Sequence, residues 1–284
     1  MERYETVIGK FIELDLEIPL RKRLPQLFLH ALAFSLLGFM LPHFMGLKAS
    51  GFISIFLVAA SLRDCMQHLL EENRSKIWED QESSWEVNKR TSLSFIAVFL
   101  GIFSAYTMIA IPYSQQELGH IFQFVGNLAA LEHGASLTDP HRFVGFLPIF
   151  LNNLRVLLCI LVLTFFYRAY GAMLVLCWNA VVWAVALNIL GMRGIDATEA
   201  NPIVFFLVAG AAILPHLMTE ASAYCLAALS AIFISHGVAK YSITDQRLRQ
   251  VLWATLQLLL LGILLLIIGA GLEVFWASKT LSIL

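Results

Sequence analysis

Charged residues are scarce in this chain, because Asp, Glu, Lys and Arg make up only 14% of its 284 residues. Soluble globular domains contain about 25% of these residues. Hydrophobic residues make up 59% of the chain, and its mean hydropathy is +0.76. These values exclude an ordinary water-soluble domain and indicate an integral membrane protein that crosses the bilayer several times.

Cysteine is also rare, and the cysteines are far apart in the sequence. There are four of them: Cys65, Cys159, Cys177 and Cys225. Their separation fits neither a zinc-binding spacing nor a disulfide framework. No basic stripe interleaved with aromatic residues is present, so nucleic acid is not expected as a partner. From these features we assign no cofactor, no metal and no catalytic residue.

Long apolar runs alternate with short polar segments along the chain. A helix needs about 20 mostly apolar residues to cross a bilayer. The runs cover residues 24–45, 49–62, 91–112, 145–170, 171–190, 202–236 and 251–276. We therefore predict an all-α, polytopic α-helical membrane protein with about six to seven transmembrane segments. Glu273 and Trp276 are taken to mark the membrane interface at the end of the last run.

The charged residues predict three regions and an orientation. Residues 1–24 form an amphipathic cytoplasmic lead-in, residues 25–90 a helical hairpin with a charged cytoplasmic extension, and residues 91–284 a helical membrane bundle. Fourteen of the 19 Lys and Arg residues lie on the side of the N-terminus if the run 202–236 crosses once. The excess predicts a multi-pass protein of the inner (plasma) membrane with a cytoplasmic N-terminus.

The run 202–236 contains the most unusual residues of the chain. Pro215 cannot donate a backbone hydrogen bond, and His216 and Glu220 share one helix face because they are four residues apart. The run is too long for one crossing and short for two. We predict a Pro-broken or re-entrant segment at 202–216, with Pro215 as the helix break.

Four further polar residues lie inside apolar runs. Asn152, Asn153 and Arg155 lie in the outer third of the run 145–170, and Asn179 lies near the middle of the next run. Polar groups are expensive in hydrocarbon and usually face protein or water. We predict that a polar intramembrane core contains these four residues together with His216 and Glu220.

Two of these segments resemble a known family. Residues 150–156, Phe-Leu-Asn-Asn-Leu-Arg-Val, resemble the (I/L)xxNNxRV signature of the stage II sporulation protein M family. Residues 214–221, Leu-Pro-His-Leu-Met-Thr-Glu-Ala, resemble its LPHGxxEx(P/A)A signature, with Leu217 in place of the usual glycine. Gly171 and Asn179 also fall where the family has a glycine and an asparagine. The resemblance covers about residues 145–240, which we take as a family-like core.

The resemblance implies an integral membrane partner of enzymes that remodel peptidoglycan, because the founding members anchor and localise such enzymes during engulfment. Most members occur in organisms that form no spores, so a sporulation role does not follow. The favoured interpretation is a non-enzymatic scaffold in the cell envelope. Its partners would be the lipid bilayer and other membrane or envelope proteins, and an oligomer is compatible with this role.

Two alternatives remain open from the residues. A transporter or channel would use His216 and Glu220 as a proton or cation site, since transporters bind their substrates near broken helices. An intramembrane hydrolase would use the same two residues to hold a metal or activate water. A zinc site needs a third protein ligand, and the candidate His236 lies at the far end of its run.

Overall fold

The structure is a computed structural model that describes residues 19–47, 49–123, 145–198 and 201–281. Helices account for 90% of the structure, and no strand occurs among the residues described. The helices are α1 Leu20–Phe44, α2 Ser50–Trp78, α3 Ser84–Ala110, α4 Gln115–Ile121, α5 Phe146–Tyr167, α6 Ala169–Thr198, α7 Pro202–Lys240, α8 Gln246–Gly271, a π-helix Leu272–Ala277 and α9 Ser278–Leu281.

Seven of the described helices are long and apolar enough to cross a membrane, namely α1, α2, α3, α5, α6, α7 and α8 continued by the π-helix. The predicted fold class, an all-α polytopic membrane protein, is confirmed. The apolar run of residues 49–62 is too short to cross a bilayer by itself, but in the structure it forms only the first part of α2. The helix continues through the polar residues to Trp78.

The prediction of a re-entrant segment at 202–216 is wrong, because α7 is one uninterrupted helix of 39 residues. The helix begins at Pro202, where Asn201 accepts hydrogen bonds from the amides of Ile203 and Val204. Proline suits this first position, since its missing N–H would have no partner there. Pro215 lies inside the helix without ending it. Membrane helices tolerate such prolines because packing and local adjustment compensate for the lost hydrogen bond.

The length of α7 explains why the prediction failed. A helix of 39 residues is about 58 Å long, and the hydrocarbon core of a bilayer is about 30 Å thick. The helix crosses once and extends beyond the bilayer. An apolar run that is longer than one crossing therefore does not need to turn back into the membrane.

Helix α7 is the centre of the packing. It contacts α3, α5, α6, the π-helix and α9, and its most extensive contact is with α8. On the other side of the molecule, α1 packs against α3, and both α2 and α3 pack against α6. A single hydrophobic core runs from Leu27 in α1 to Leu266 in α8. The predicted regions 25–90 and 91–284 thus share one core, while most of the predicted lead-in, residues 1–18, lies outside the described residues.

Two polar contacts hold the ends of α1, α2 and α3 together. The Glu72 carboxylate accepts from the Arg23 guanidinium at 2.9 Å and from the Lys76 ammonium at 2.5 Å. The buried Asn73 amide donates to Thr91 Oγ1 at 2.9 Å. Arg23 lies near the start of α1, Asn73 near the end of α2 and Thr91 near the start of α3. These three helix ends therefore lie on one side of the membrane.

Short connections fix neighbouring helices. Arg168 is the only residue between α5 and α6 and has a positive φ of 53°. A side chain at Gly171 would overlap the Leu163 carbonyl, so the two helices meet closely after the turn. Before α4, the Ser114 backbone amide and hydroxyl both donate to the Glu117 carboxylate. The amide is the larger cause, and together the two bonds lower the pKa of Glu117.

We predict that Gly101→Ala destabilises the protein because α1 lies directly against α3 at this glycine. An added Cβ would overlap the Phe28 carbonyl and lie 2.8 Å from Ala31 Cβ. Overpacking of this kind costs about 1–3 kcal/mol. We expect a lower midpoint of thermal unfolding, measured in detergent by tryptophan fluorescence.

Gly210→Ala is the matched control, because no atom of the described residues, apart from the chain neighbours and the helix's own backbone, lies within 4 Å of a Cβ at this position in α7. Alanine also favours a helix by about 1 kcal/mol over glycine. Its unfolding midpoint should equal or exceed that of the unmodified protein. Equal midpoints for the two variants would contradict the close packing of α1 on α3.

Candidate functional site

Two buried ionisable side chains lie one turn apart on the inner face of α7. His216 is 1% exposed and Glu220 is 2% exposed. Residues four apart share a helix face, so both side chains point toward the same neighbours. Buried ionisable groups in a membrane bundle are rare and usually need partners. This pair is therefore the starting point for the site.

The third member of the site comes from the C-terminal end of the bundle. Glu273 lies in the π-helix that follows α8, and it is half-buried. One ring nitrogen of His216 and one carboxylate oxygen each from Glu220 and Glu273 lie within 4.8 Å of one another. We refer to His216, Glu220 and Glu273 as the His-Glu-Glu cluster.

Asn153 links the cluster to α5. Its side-chain amide donates to the Glu220 carboxylate over 2.5 Å, and the asparagine is itself buried. The contact joins residues that are 67 positions apart in the sequence. A hydrogen bond to a carboxylate is stronger than one between neutral groups. Asn153 therefore fixes the position of the Glu220 side chain and holds α5 against α7.

An aromatic ring lies beside the His216 imidazole. The Trp183 ring of α6 lies edge-on against the imidazole, with 4.9 Å between ring centroids. Neither His216 Nδ1 nor Nε2 has a hydrogen-bond partner among the described residues. The hydroxyl of Tyr224, one turn after Glu220, is likewise buried without such a partner. The site thus combines satisfied and unsatisfied polar groups.

Close approach of α7 and α8 makes the cluster possible. A Cβ at Gly269 would lie 2.8 Å from Thr219 Oγ1 and 3.6 Å from Glu220 Cγ. Thr219 Oγ1 is held there because it donates to the His216 carbonyl at 2.7 Å. Only a glycine at position 269 leaves room for this packing. Four residues later the chain reaches Glu273.

The π-helix completes the site. Segments of π-helix are uncommon and often occur at functional sites. Beyond Glu273, the Trp276 indole donates to the Ala211 carbonyl of α7 at 3.0 Å. The π-helix is therefore anchored to α7 at a point five residues before His216.

The structure brings together three of the six residues predicted to form a polar intramembrane core. Asn153, His216 and Glu220 are buried, and Asn153 contacts Glu220 directly. Asn152 and Arg155 are exposed on the surface of α5. Asn179 donates to the Val175 carbonyl of its own helix.

Sequence reasoning missed Glu273 and Trp183. Glu273 was assigned to the membrane interface because it ends an apolar run, and no local pattern connects it with a helix 53 residues earlier. The small residues 269–271, Gly-Ala-Gly, were an available signal, since small residues allow close helix packing in membranes. Trp183 gives no comparable signal, because tryptophan is also common in ordinary packing.

The donor atoms of the cluster can hold a proton or a cation. Neutral imidazole and carboxylate groups are common ligands of divalent metals. His236, the third ligand considered from sequence, lies about five and a half helical turns beyond His216 on α7. Glu273 is the third member of the cluster instead.

Comparison with known proteins identifies a family. A family model described as stage II sporulation protein M matches residues 91–278, which is about two thirds of the chain. The match includes Asn153, Trp183 and all three residues of the His-Glu-Glu cluster, whereas α1 and α2 lie outside it. Searches of curated proteins and of solved structures each gave no significant match.

We predict that Asn153→Ala lowers the free energy of unfolding, because the buried Glu220 carboxylate loses its donor. Hydrogen bonds between membrane helices contribute about 0.6–2 kcal/mol. The loss should appear in detergent unfolding curves. The neighbouring change Asn152→Ala is the control, since this amide is exposed on the same helix. A loss of stability in the Asn152 variant that matches the loss in the Asn153 variant would contradict the assignment.

Proposed function

The chain belongs to the stage II sporulation protein M family, and from this premise we propose that it is an integral membrane scaffold that holds cell-envelope proteins in place. The proteins held are those that remodel peptidoglycan. The proposal is supported chiefly by Arg155, a charged residue on a membrane helix that faces away from the rest of the molecule.

The depth of Arg155 makes its exposure unusual. It is the tenth residue of α5, so it lies about 14 Å along a helix that is about 33 Å long, which is deeper than the outer third expected from the sequence. An arginine near the centre of the bilayer costs about 2.5–3.5 kcal/mol on insertion scales. No hydrogen bond or ion pair joins its side chain to another residue in the described ranges 19–47, 49–123, 145–198 and 201–281. A partner that supplied acceptors would remove this cost.

Arg155 belongs to a continuous exposed strip along α5. Asn152 lies three residues earlier on the same face, and Leu151, Leu158 and Val162 are also exposed. We call these five residues the α5 strip. Arginine offers five N–H donors, and the asparagine amide offers both donors and an acceptor. The strip therefore fits a transmembrane segment that carries a carboxylate or amide among apolar residues.

The buried polar residues serve the same role from the inside. Asn153, which adjoins the strip, bonds Glu220 on α7. This bond holds α5 in one rotational position, so that Asn152 and Arg155 face outward. In this proposal, the polar intramembrane core fixes helix register and does not carry out chemistry.

The seven candidate crossings and the charges together support one orientation. If all seven described helices cross, the two ends of the described chain lie on opposite sides. Most Lys and Arg residues then lie on the side of the N-terminus, which we assign to the cytoplasm of a plasma membrane. Tyr167–Ala169 and the 241–245 turn share that side, whereas α4 and the start of α5 face outward.

We predict that a photo-crosslinking amino acid at Leu151 captures another envelope protein in intact cells, because Leu151 lies within the α5 strip. The product should be seen as a shifted band identified by mass spectrometry. Arg155→Leu should remove the product if the guanidinium binds the partner. The same probe at Leu37, which is exposed on α1, is the matched control and should capture lipid only.

Three results would contradict the scaffold proposal. Capture of lipid alone at Leu151 would show that the α5 strip faces the bilayer. Capture of a second copy alone would make the strip an oligomer interface. An unchanged product in the Arg155→Leu variant would show that the partner does not bind the guanidinium.

The orientation is tested with two new cysteines at exposed positions, Met45→Cys after α1 and Ile243→Cys between α7 and α8. A membrane-impermeant maleimide should label the first in intact cells and the second only after lysis, with the unmodified protein as background. Labelling of Ile243→Cys in intact cells would reverse the orientation.

A further inference from the structure

We propose that the His-Glu-Glu cluster binds one divalent transition-metal ion of the zinc class, which joins α7 to the π-helix after α8. The inference is independent of the scaffold role, because it concerns the interior of the bundle and not the α5 strip. It rests on the geometry of three donors and on a buried histidine whose ring nitrogens have no hydrogen-bond partner in the part of the chain that the structure describes.

The separation of the donors suits a shared ion. Zinc lies about 2.0–2.2 Å from nitrogen and oxygen ligands, so two ligands of a tetrahedral site are about 3.4 Å apart. The three donor atoms lie within 4.8 Å of one another. Side-chain movements of about 1 Å would close the remaining gap, which ordinary rotamer adjustment permits.

The histidine provides an independent argument. A buried polar group without a partner is expensive, and nearly all such groups in native proteins are satisfied. His216 is 1% exposed, and neither of its ring nitrogens has a hydrogen-bond partner within the described ranges. One of these nitrogens belongs to the 4.8 Å cluster. A metal ion would satisfy that nitrogen, and the Trp183 ring restricts the imidazole from the side.

The charges of the cluster also favour a bound cation. Two carboxylates close together in a buried site repel each other when both are ionised, and a divalent cation balances both charges. No thiol belongs to the cluster, which disfavours soft ions such as Cu(I) and favours zinc, manganese or iron. The chain thus offers one imidazole and two carboxylates, a number of protein ligands that leaves one position of a tetrahedral site open.

Asn153 would support the ion from outside its ligand set. Metal-binding carboxylates are commonly held by hydrogen bonds from neighbouring groups, and loss of such a neighbour weakens binding about 10–100-fold. The Asn153 amide donates to Glu220 in this way. The same bond that fixes α5 therefore also orients a metal ligand.

The test uses the full chain purified in detergent, stripped with a chelator, incubated with zinc chloride and separated from unbound zinc. Elemental analysis should find one zinc per chain, and zinc should raise the midpoint of thermal unfolding. Three variants each remove one proposed ligand: His216→Gln, Glu220→Gln and Glu273→Gln. Each should weaken zinc binding by more than about 100-fold, because loss of a group that only supports a ligand already weakens binding about 10–100-fold. Asn153→Ala should weaken it by about 10–100-fold.

The matched control is His68→Gln in α2. His68 and Glu72 have the same spacing as His216 and Glu220, but His68 is exposed and belongs to no three-residue cluster in the described part of the chain. Zinc binding should be unchanged in this variant. Unchanged binding in the three cluster variants would instead place the zinc elsewhere and overturn the proposal.

Zinc-edge X-ray absorption on the unmodified protein keeps the test decisive if a variant does not fold. The spectrum should show only nitrogen and oxygen ligands at about 2.0–2.2 Å. A sulfur ligand, or zinc no higher than in a blank of detergent alone, would overturn the proposal.

Discussion

A carboxylate inside a membrane bundle needs a donor or a neutralising charge, and the position of Glu220 imposes this requirement on the whole C-terminal half of the molecule. Asn153 of α5 supplies the donor. His216 and Glu273 are ionisable neighbours whose donor atoms lie within 4.8 Å of a Glu220 oxygen. Since these residues come from three different parts of the chain, satisfying one acid fixes how α5, α7 and the π-helix are arranged.

Helix α7 transmits this arrangement to the rest of the fold. It contacts α3 and α6 as well as α5 and α8, so it packs against helices from both earlier and later parts of the chain. The apolar part of its surface supplies many residues of the core, including Leu217, Ala221 and Tyr224. Small residues allow helices to pack closely in membranes. Gly269 of α8 does this against α7, because a Cβ at this position would lie 2.8 Å from Thr219 Oγ1.

The sequence was sufficient for the features that depend on composition or on local spacing. Apolar run length predicts the all-α polytopic fold, and four-residue spacing places His216 and Glu220 on one face. The break predicted at Pro215 failed, because tertiary packing outweighs the local cost of one missing hydrogen bond. Run length also misled the interpretation, since a helix is free to extend beyond the bilayer.

The remaining members of the site depend on long-range contacts that no local pattern contains. Adjacent amides at 152 and 153 look equivalent in the sequence, yet α5 directs one outward and the other to Glu220. Glu273 joins the cluster only because α8 packs closely on α7. Such choices are set by the rotation and approach of whole helices, which become known only when the bundle is assembled.

The adjacency of Asn152 and Asn153 has a mechanical consequence. Side-chain atoms lie about 5 Å from a helix axis, so turning α5 by about 20° would displace them by about 2 Å. A displacement of that size exceeds the range of a hydrogen bond. Any molecule that binds Asn152 and turns α5 would therefore weaken the hydrogen bond between Asn153 and Glu220. Because Arg168 alone separates α5 from α6, the same rotation would also strain the start of α6.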